Sequence, residues 1–348
     1  MSNLTLSNNE KLSMLRNLAI MLGAGIPILE VVNSLIEDTA GNQKKVLLTL
    51  RADLMQGQQI AASLANFPKV FDKITVNLIK AAETAGTLET TLRDLRDHIQ
   101  KEIEFSDKIK FAMIYPILIM VVFAGVLLMI LTVVVPKIAT VFARLKVELP
   151  LPTKILIGAS NILINNTMLL GVGLVVVGVG IILLYKHNRE MVLKILHSLP
   201  VISGLVKQID FARFSRSLYL LLNSGLPITV ALELSQEVVM DSKIKKLLAN
   251  SREMVIGGKK LSDGLRLGKK IVPNMMIKLI EAGERSGTLD KSMQELSQYL
   301  DYEVSNTLKA ATALLEPILL VLVGVSVGGM MLAIIAPIYG LIGQVGGR

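Results

Sequence analysis

Cysteine and tryptophan are absent from the chain, and it holds only three histidines, 4% aromatic residues and 19% charged residues. Without cysteine, disulfide frameworks, thiolate nucleophiles and cysteine-ligated zinc or iron sites are excluded. The imidazoles make no metal-ligand pattern: His187 and His197 stand ten residues apart, off a common helical face, and His98 lies in a stretch of charged residues. No Gly-x-x-x-x-Gly-Lys-Ser/Thr phosphate loop occurs; Gly257-Gly-Lys-Lys260 and Gly268-Lys-Lys270 lack the upstream glycine and the hydroxyl that holds magnesium. No nucleophile–base constellation stands out either. The chain is therefore expected to carry no cofactor or metal and not to be an enzyme.

Charge is scarce for a reason. A soluble domain is usually about a quarter charged, whereas this chain of 348 residues is 52% hydrophobic, with a mean hydropathy of +0.57. Three runs lack any charged side chain: Phe111 to Pro136 (26 residues), Ile155 to Tyr185 (31) and Pro317 to Gly347 (31). Each exceeds the roughly 20 residues that a helix needs to cross a bilayer core. The sequence predicts an all-α membrane protein with two homologous antiparallel helical-bundle cytoplasmic domains and three transmembrane helices.

The expected boundaries are 1–110 for the first cytoplasmic domain, 111–136 for the first span, and 137–164 for an extracytoplasmic loop with the start of span two. Residues 165–185 then form the second span, 186–309 the second domain, 310–338 the third span and 339–348 an extracytoplasmic tail. Lys101, Lys108 and Lys110 before the first run, and Lys186, Arg189 and Lys194 after the second, place the charged segments and the N-terminus in the cytoplasm; Lys137, Arg144 and Lys146 pull the other way. A cleaved signal is not expected, because the pattern of Arg16 followed by an apolar stretch recurs in mid-chain after Arg216.

That recurrence is part of a duplication. Leu22, Gly25 and Pro27 match Leu222, Gly225 and Pro227 at an offset of 200. Gly57, Leu64, Leu78, Glu83, Gly86, Thr87, Leu88, Pro116 and Pro136 match Gly258, Leu265, Leu279, Glu284, Gly287, Thr288, Leu289, Pro317 and Pro337 at 201. One inserted residue between the two groups accounts for the change of offset. Within each copy the apolar spacing is helical: Leu12, Leu15, Leu18, Ala19 and Leu22 follow a Ser7–Glu10 capping box, and nothing alternates with period two.

The sharpest local motif is Glu83-Thr-Ala-Gly-Thr-Leu88 and its partner Glu284-Arg-Ser-Gly-Thr-Leu289. Structurally, Gly86 and Gly287 suit a left-handed helix cap, and Thr87 and Thr288 can accept from free N–H groups of the next helix. Functionally, Glu83 or Glu284 would contact a metal or a partner. Lys243, Lys245, Lys246, Lys259, Lys260, Arg266, Lys269 and Lys270 give the second copy a basic surface, suited to an acidic protein face or anionic lipid, or else merely solvated. Nucleic acid is not expected, since no aromatic residue interleaves these clusters.

The duplicated order of a Gly-x-Pro corner, a glycine before a short helix, a Glu-x-x-Gly-Thr-Leu corner and a proline early in the following span resembles the F-protein family of type II secretion systems. That family also supplies the platform protein of type IV pili. The resemblance runs from about Leu12 to Gly340. It implies an inner-membrane, multi-pass protein with two six-helix cytoplasmic domains, partnered by a cytosolic hexameric secretion ATPase and by pilin or pseudopilin subunits. One departure is the start: larger members carry an N-terminal extension, and here the first repeat opens close to Met1.

Under that resemblance Glu316, just before Pro317, is a candidate to pair with the positive N-terminus of a pilin subunit; Tyr115 precedes Pro116 at the equivalent place. Whether Glu316 lies inside the bilayer or at its interface is left open by the sequence. Gly324 and Gly328, and Gly171, Gly173, Gly178 and Gly180, put small residues along two spans, for packing within a chain or in a homo-oligomer. The competing function is an oligomeric membrane transporter or channel.

Overall fold

The structure, a computed structural model, describes residues 4–145, 151–165 and 200–345. Most of the expected second span, with its four glycines, lies outside the described residues. Among the described residues there are helices and no strands.

The first copy comprises α1 (Asn8–Gly23), α2 (Ile28–Glu37), α3 (Gly41–Met55), α4 (Ile60–Leu64), α5 (Lys73–Ala85) and α6 (Leu88–Met129). A π-helical turn (Ile130–Val134) leads into α7 (Val135–Leu145), and α8 (Leu151–Asn165) follows. The second copy repeats the series as α9 (Pro200–Asn223), α10 (Ile228–Ser235), α11 (Ser242–Ile256), α12 (Leu261–Arg266), α13 (Asn274–Ser286) and α14 (Leu289–Val345).

The predicted start of α1 is present: Ser7 Oγ accepts from the amide of Glu10, and the Glu10 carboxylate accepts from the amide of Ser7 at 2.7 Å. The α3 helix begins five residues before the Val46 start read from the sequence, because its first turn carries Lys44 and Lys45 and offers no apolar signal. The inserted residue is also located. Where α2 runs unbroken to Glu37, α10 stops at Ser235 and a 3₁₀ turn, Gln236–Val238, takes up the extra length before an extended Val239.

The chain divides into two compact units. One joins Met1–Lys108 with Ser203–Asn306, so both copies' bundles belong to it. Equivalent positions fill its core: Leu47 and Leu248, Ile79 and Ile280, Leu92 and Met293, and Leu95 and Leu296 are all buried. Each such side chain contributes on the order of 1.5–3 kcal/mol by leaving water.

The copies differ where α12 meets α11. A Cβ at Gly264 would stand 2.7 Å from the Ser251 side chain, and one at Gly268 would stand 2.2 Å from Leu247 Cδ2, so these backbones pack directly on α11. The residue equivalent to Gly268 in the first copy is Phe67, a buried ring.

The other unit joins Ile109–Ile202 with Thr307–Arg348. Two of its helical stretches are long and apolar enough to cross a membrane, within Leu88–Arg144 and Leu289–Gly329. They are not core helices of a soluble fold, since Ile117, Val121, Leu320 and Val325 are 56–70% exposed. The stretch read as an extracytoplasmic connection is helical at its described positions. Its α7 and α8 bury Val135, Phe142, Thr153 and Ser160, and the Ser160 hydroxyl donates to the carbonyl of Leu131 at 2.6 Å. That carbonyl lies in the π turn, just before Pro136, whose missing N–H and bulky ring give the helical ladder a reason to widen there.

Candidate functional site

The Glu-x-x-Gly-Thr-Leu corner shows how a short sequence sign becomes a tertiary joint. Gly86 and Gly287 adopt φ +71°, ending α5 and α13 in the left-handed region that a Cβ disfavours. The amides of Thr87 and Thr288 reach back to the carbonyls of Ala82 and Gly283, each at 2.9 Å, closing the cap.

The glutamates do not face outward toward a metal. The Glu83 carboxylate accepts from the amides of Ile60 at 2.5 Å and Ala61 at 2.9 Å, and Glu284 accepts from Leu261 at 2.5 Å and Ser262 at 3.3 Å. Each carboxylate thus satisfies the otherwise unpaired first amides of α4 or α12, a role that sequence spacing alone did not reveal. The threonines do less than expected: the Thr288 hydroxyl pairs with that of Ser286 at 2.6 Å, and Thr87 contributes its carbonyl, to Thr90 Oγ1 at 2.9 Å.

Between the two copies lies a charged cluster centred on Arg216, whose side chain is 5% exposed. Arg216 on α9 donates to both carboxylate oxygens of Asp301 on α14, at 2.5 and 2.6 Å, and to Glu102 on α6 at 3.1 Å. Its guanidinium also stands 5.0 Å from the centre of the Phe105 ring. Arg213 Nε is 3.1 Å from the other oxygen of Glu102, Asn223 donates to Asp94 at 3.2 Å, and Lys73 pairs with Glu237 at 2.7 Å on the surface. The bonds to Asp301 and Glu102 hold the nearly dry Arg216 guanidinium, where attraction is strong; the Lys73 pair is solvated and contributes little.

His98 lies beside this cluster. Burial pushes its pKa down to about 4, with Arg216 and Lys11 adding to the effect and Glu102 and Asp72 opposing it. Nearby, burial lowers Lys11 despite Asp72. Asp72 itself ends lowered, because Lys11 and the Thr75 hydroxyl and amide outweigh its burial. On the second copy, Asp210 accepts from the amides of Met240 at 3.0 Å and Asp241 at 2.7 Å, which pins the loop holding the inserted residue. Burial nevertheless raises its pKa.

The basic residues are all exposed but not all together. The loop after α12 packs on α11 through Gly268 and Leu247, which brings Lys269 and Lys270 toward the turn of α11 that carries Lys243 and Lys246. Lys245 lies on the same helix, whereas Lys259 and Lys260 lie beyond its far end at Ile256, itself about 15 Å along the helix from Lys246. Arg266 is committed to Asp263 at 3.3 Å and to Glu281.

In the apolar unit, Pro116 is buried within α6, while Glu316 and Pro317 are exposed on α14. No cation among the described residues pairs with Glu316. A Cβ at Gly324, Gly328 or Gly329 would meet nothing within 4 Å, so this small-residue face is open. No group of three or more His, Asp or Glu able to hold a metal occurs among the described residues.

Comparison with known proteins matches residues 14–136 and 214–337 to the family described as Type II secretion system (T2SS), protein F. The chain belongs to that family. The chain is 31% identical over 336 residues to the "Type IV pilus assembly protein PilC" of Thermus thermophilus, covering 94% of this chain and 81% of that one. It is 30% identical over 335 residues to the protein of the same name from Pseudomonas aeruginosa (95% and 89%). It is also 30% identical over 344 residues to the "Type II secretion system protein F" of Aeromonas hydrophila (96% and 87%). The two matched stretches begin 200 residues apart and end 201 apart, the offsets of the internal duplication. The T2SS protein F signature is thus carried twice, each time by a bundle followed by an apolar helix.

Proposed function

We propose that this protein is the inner-membrane platform of a type IV pilus or type II secretion machine and couples a cytosolic secretion ATPase to the assembly of pilin or pseudopilin subunits. The family membership and the relatives' names support a part in such a machine. The observation that carries the coupling is that two bundles far apart in sequence share one compact unit, tied by Arg216 to Glu102 and Asp301. In each copy the last helix, α6 or α14, is continuous from charged bundle residues into an apolar stretch. A partner that displaces one bundle therefore displaces both, and α-helices transmit that displacement into the spans.

In this reading 1–110 and 186–309 are cytoplasmic, and 111–136, 165–185 and 310–338 span the membrane. Glu316 supplies a carboxylate near the start of the third span that fits a pilin's positive N-terminus. Hydrolysis comes from the partner.

Cross-linking in native membranes, followed by purification of this protein and mass spectrometry, tests the reading. Recovery of a hexameric secretion ATPase together with a pilin-like subunit is expected. Recovery of the protein alone, at full cross-linking efficiency, would overturn it.

A further inference from the structure

The internal duplication supplies a control for the basic surface. Lys243, Lys259, Lys260, Arg266, Leu267 and Lys269 occupy positions that in the first copy are Asn42, Gln58, Gln59, Ala65, Asn66 and Pro68, while Lys245, Lys246 and Lys270 match Lys44, Lys45 and Lys69. Both copies form the same helices at these positions, so the fold does not require the added cations.

Three observations indicate what they meet. First, no acidic side chain among the described residues pairs with Lys243, Lys246, Lys269 or Lys270, whereas the neighbouring acids are taken: Asp263 and Glu281 by Arg266, Glu253 by Arg252. Second, Leu267, the C-cap residue of α12 and two residues before Lys269, is 72% exposed. Third, every unpaired cation here is a lysine, with no aromatic residue among them. Protein interfaces are depleted in lysine and anchored by arginine and aromatic side chains, so the set does not suit docking to a protein. Hydrated point charges around one apolar side chain instead suit a diffuse anionic bilayer surface, which attracts lysines without fixed geometry and accepts the leucine into its apolar boundary.

We propose that the α11–α12 face of the second copy, through Lys243, Lys246, Lys269, Lys270 and Leu267, docks peripherally on anionic lipid headgroups, and that the first copy does not. The two bundles then have different neighbours: one is held at a bilayer surface and the other is left free for soluble partners.

The absence of cysteine makes the test clean. The full chain carrying Leu267→Cys with an environment-sensitive fluorophore is reconstituted into vesicles of phosphatidylcholine alone or mixed with phosphatidylglycerol, with spin-labelled lipid as quencher. Asn66→Cys is the matched reference. Position 267 is expected to blue-shift and be quenched only in the anionic vesicles, and to return to the aqueous signal at about 1 M salt, where the screening length falls to about 3 Å. Position 66 should stay aqueous throughout. Changing Lys243, Lys246, Lys269 and Lys270 together to Gln should lower the docked-to-free ratio by about 600-fold, given roughly five-fold per lysine. An aqueous signal in both lipids, equal quenching in neutral vesicles, or quenching of position 66 to the same degree would each overturn the proposal. So would a probe that is buried only after an acidic soluble protein is added.

Discussion

Arg16 and Arg216 hold the same place in the two copies, 200 residues apart on α1 and α9, and they do opposite things. Arg16 is exposed. Arg216 is nearly dry and joins a carboxylate from each copy. The same helix and register therefore serve as surface in one copy and as joint in the other. What differs is Asp301, which the first copy replaces with Gln100, whereas Glu102 is matched by Glu303. A duplicated fold can keep its core and divide its labour through a few polar substitutions.

The largest effect should come from breaking that asymmetry. Arg216→Ala leaves Asp301 without its cation and Glu102 with Arg213 alone, and it is expected to destabilise the bundles by about 2–3 kcal/mol, less than a fully buried pair would lose because both acids retain some water. Arg16→Ala should cost less than about 0.5 kcal/mol. Denaturant unfolding of the detergent-solubilised protein compares them; equal losses would erase the contrast.

Next come the features that the copies share. Glu83→Ala and Glu284→Ala each strip a carboxylate from a helix start, and each should cost about 1–2 kcal/mol. The shorter second bond in the first copy, 2.9 against 3.3 Å, puts Glu83 at the upper end. If either glutamate is instead a metal or partner contact, its loss will leave stability unchanged and alter activity alone. Gly86→Ala and Gly287→Ala place a Cβ at φ +71° and should cost about 1 kcal/mol apiece by the same measurement. A difference between the two would show that the corner is strained in one copy only.

The last effect is absent at neutral pH and appears on acidification. His98 is held neutral in the folded protein to about pH 4, whereas the unfolded chain takes up the proton near pH 6.5. The unfolded state then binds more protons between those values, so stability should fall as pH drops from about 6.5 to about 4. His98→Gln should flatten that part of the profile. The equivalent residue in the second copy is Tyr299, and Tyr299→Phe should leave the profile unchanged. Unfolding midpoints measured across the range decide between them.

How much of this was legible beforehand follows from the range of each interaction. The Ser7–Glu10 box, the caps at Gly86 and Gly287 and the duplication itself are local or periodic, and they are read directly from spacing. Long apolar runs give candidate spans by length alone, and two of those expected fall on described helices. The remainder depends on partners far away in the chain. Glu83 and Glu284 admit a metal or partner contact as well as a structural role, because the amides that they cap are 22 and 23 residues back. Arg216 read as a basic residue before an apolar stretch, since nothing local announces Glu102, 114 residues away. The extra residue after α10 is countable from the offsets, but its place depends on Asp210, which holds the amides of Met240 and Asp241. Among the basic residues, spacing grouped eight, and only the contact of Gly268 with Leu247 separates a compact set from the two lysines beyond the helix end.

The proposed coupling rests on the two copies responding as one body, and native-state hydrogen exchange tests this directly. Glu102 belongs to the first copy, yet its carboxylate holds Arg213 and Arg216 of the second. With Glu102→Ala, amides of α9 from Phe211 to Leu221 should lose protection along with those of α6. If exchange rises in α6 while α9 keeps its protection unchanged, the bundles are independent and the account of a shared mechanical unit is contradicted.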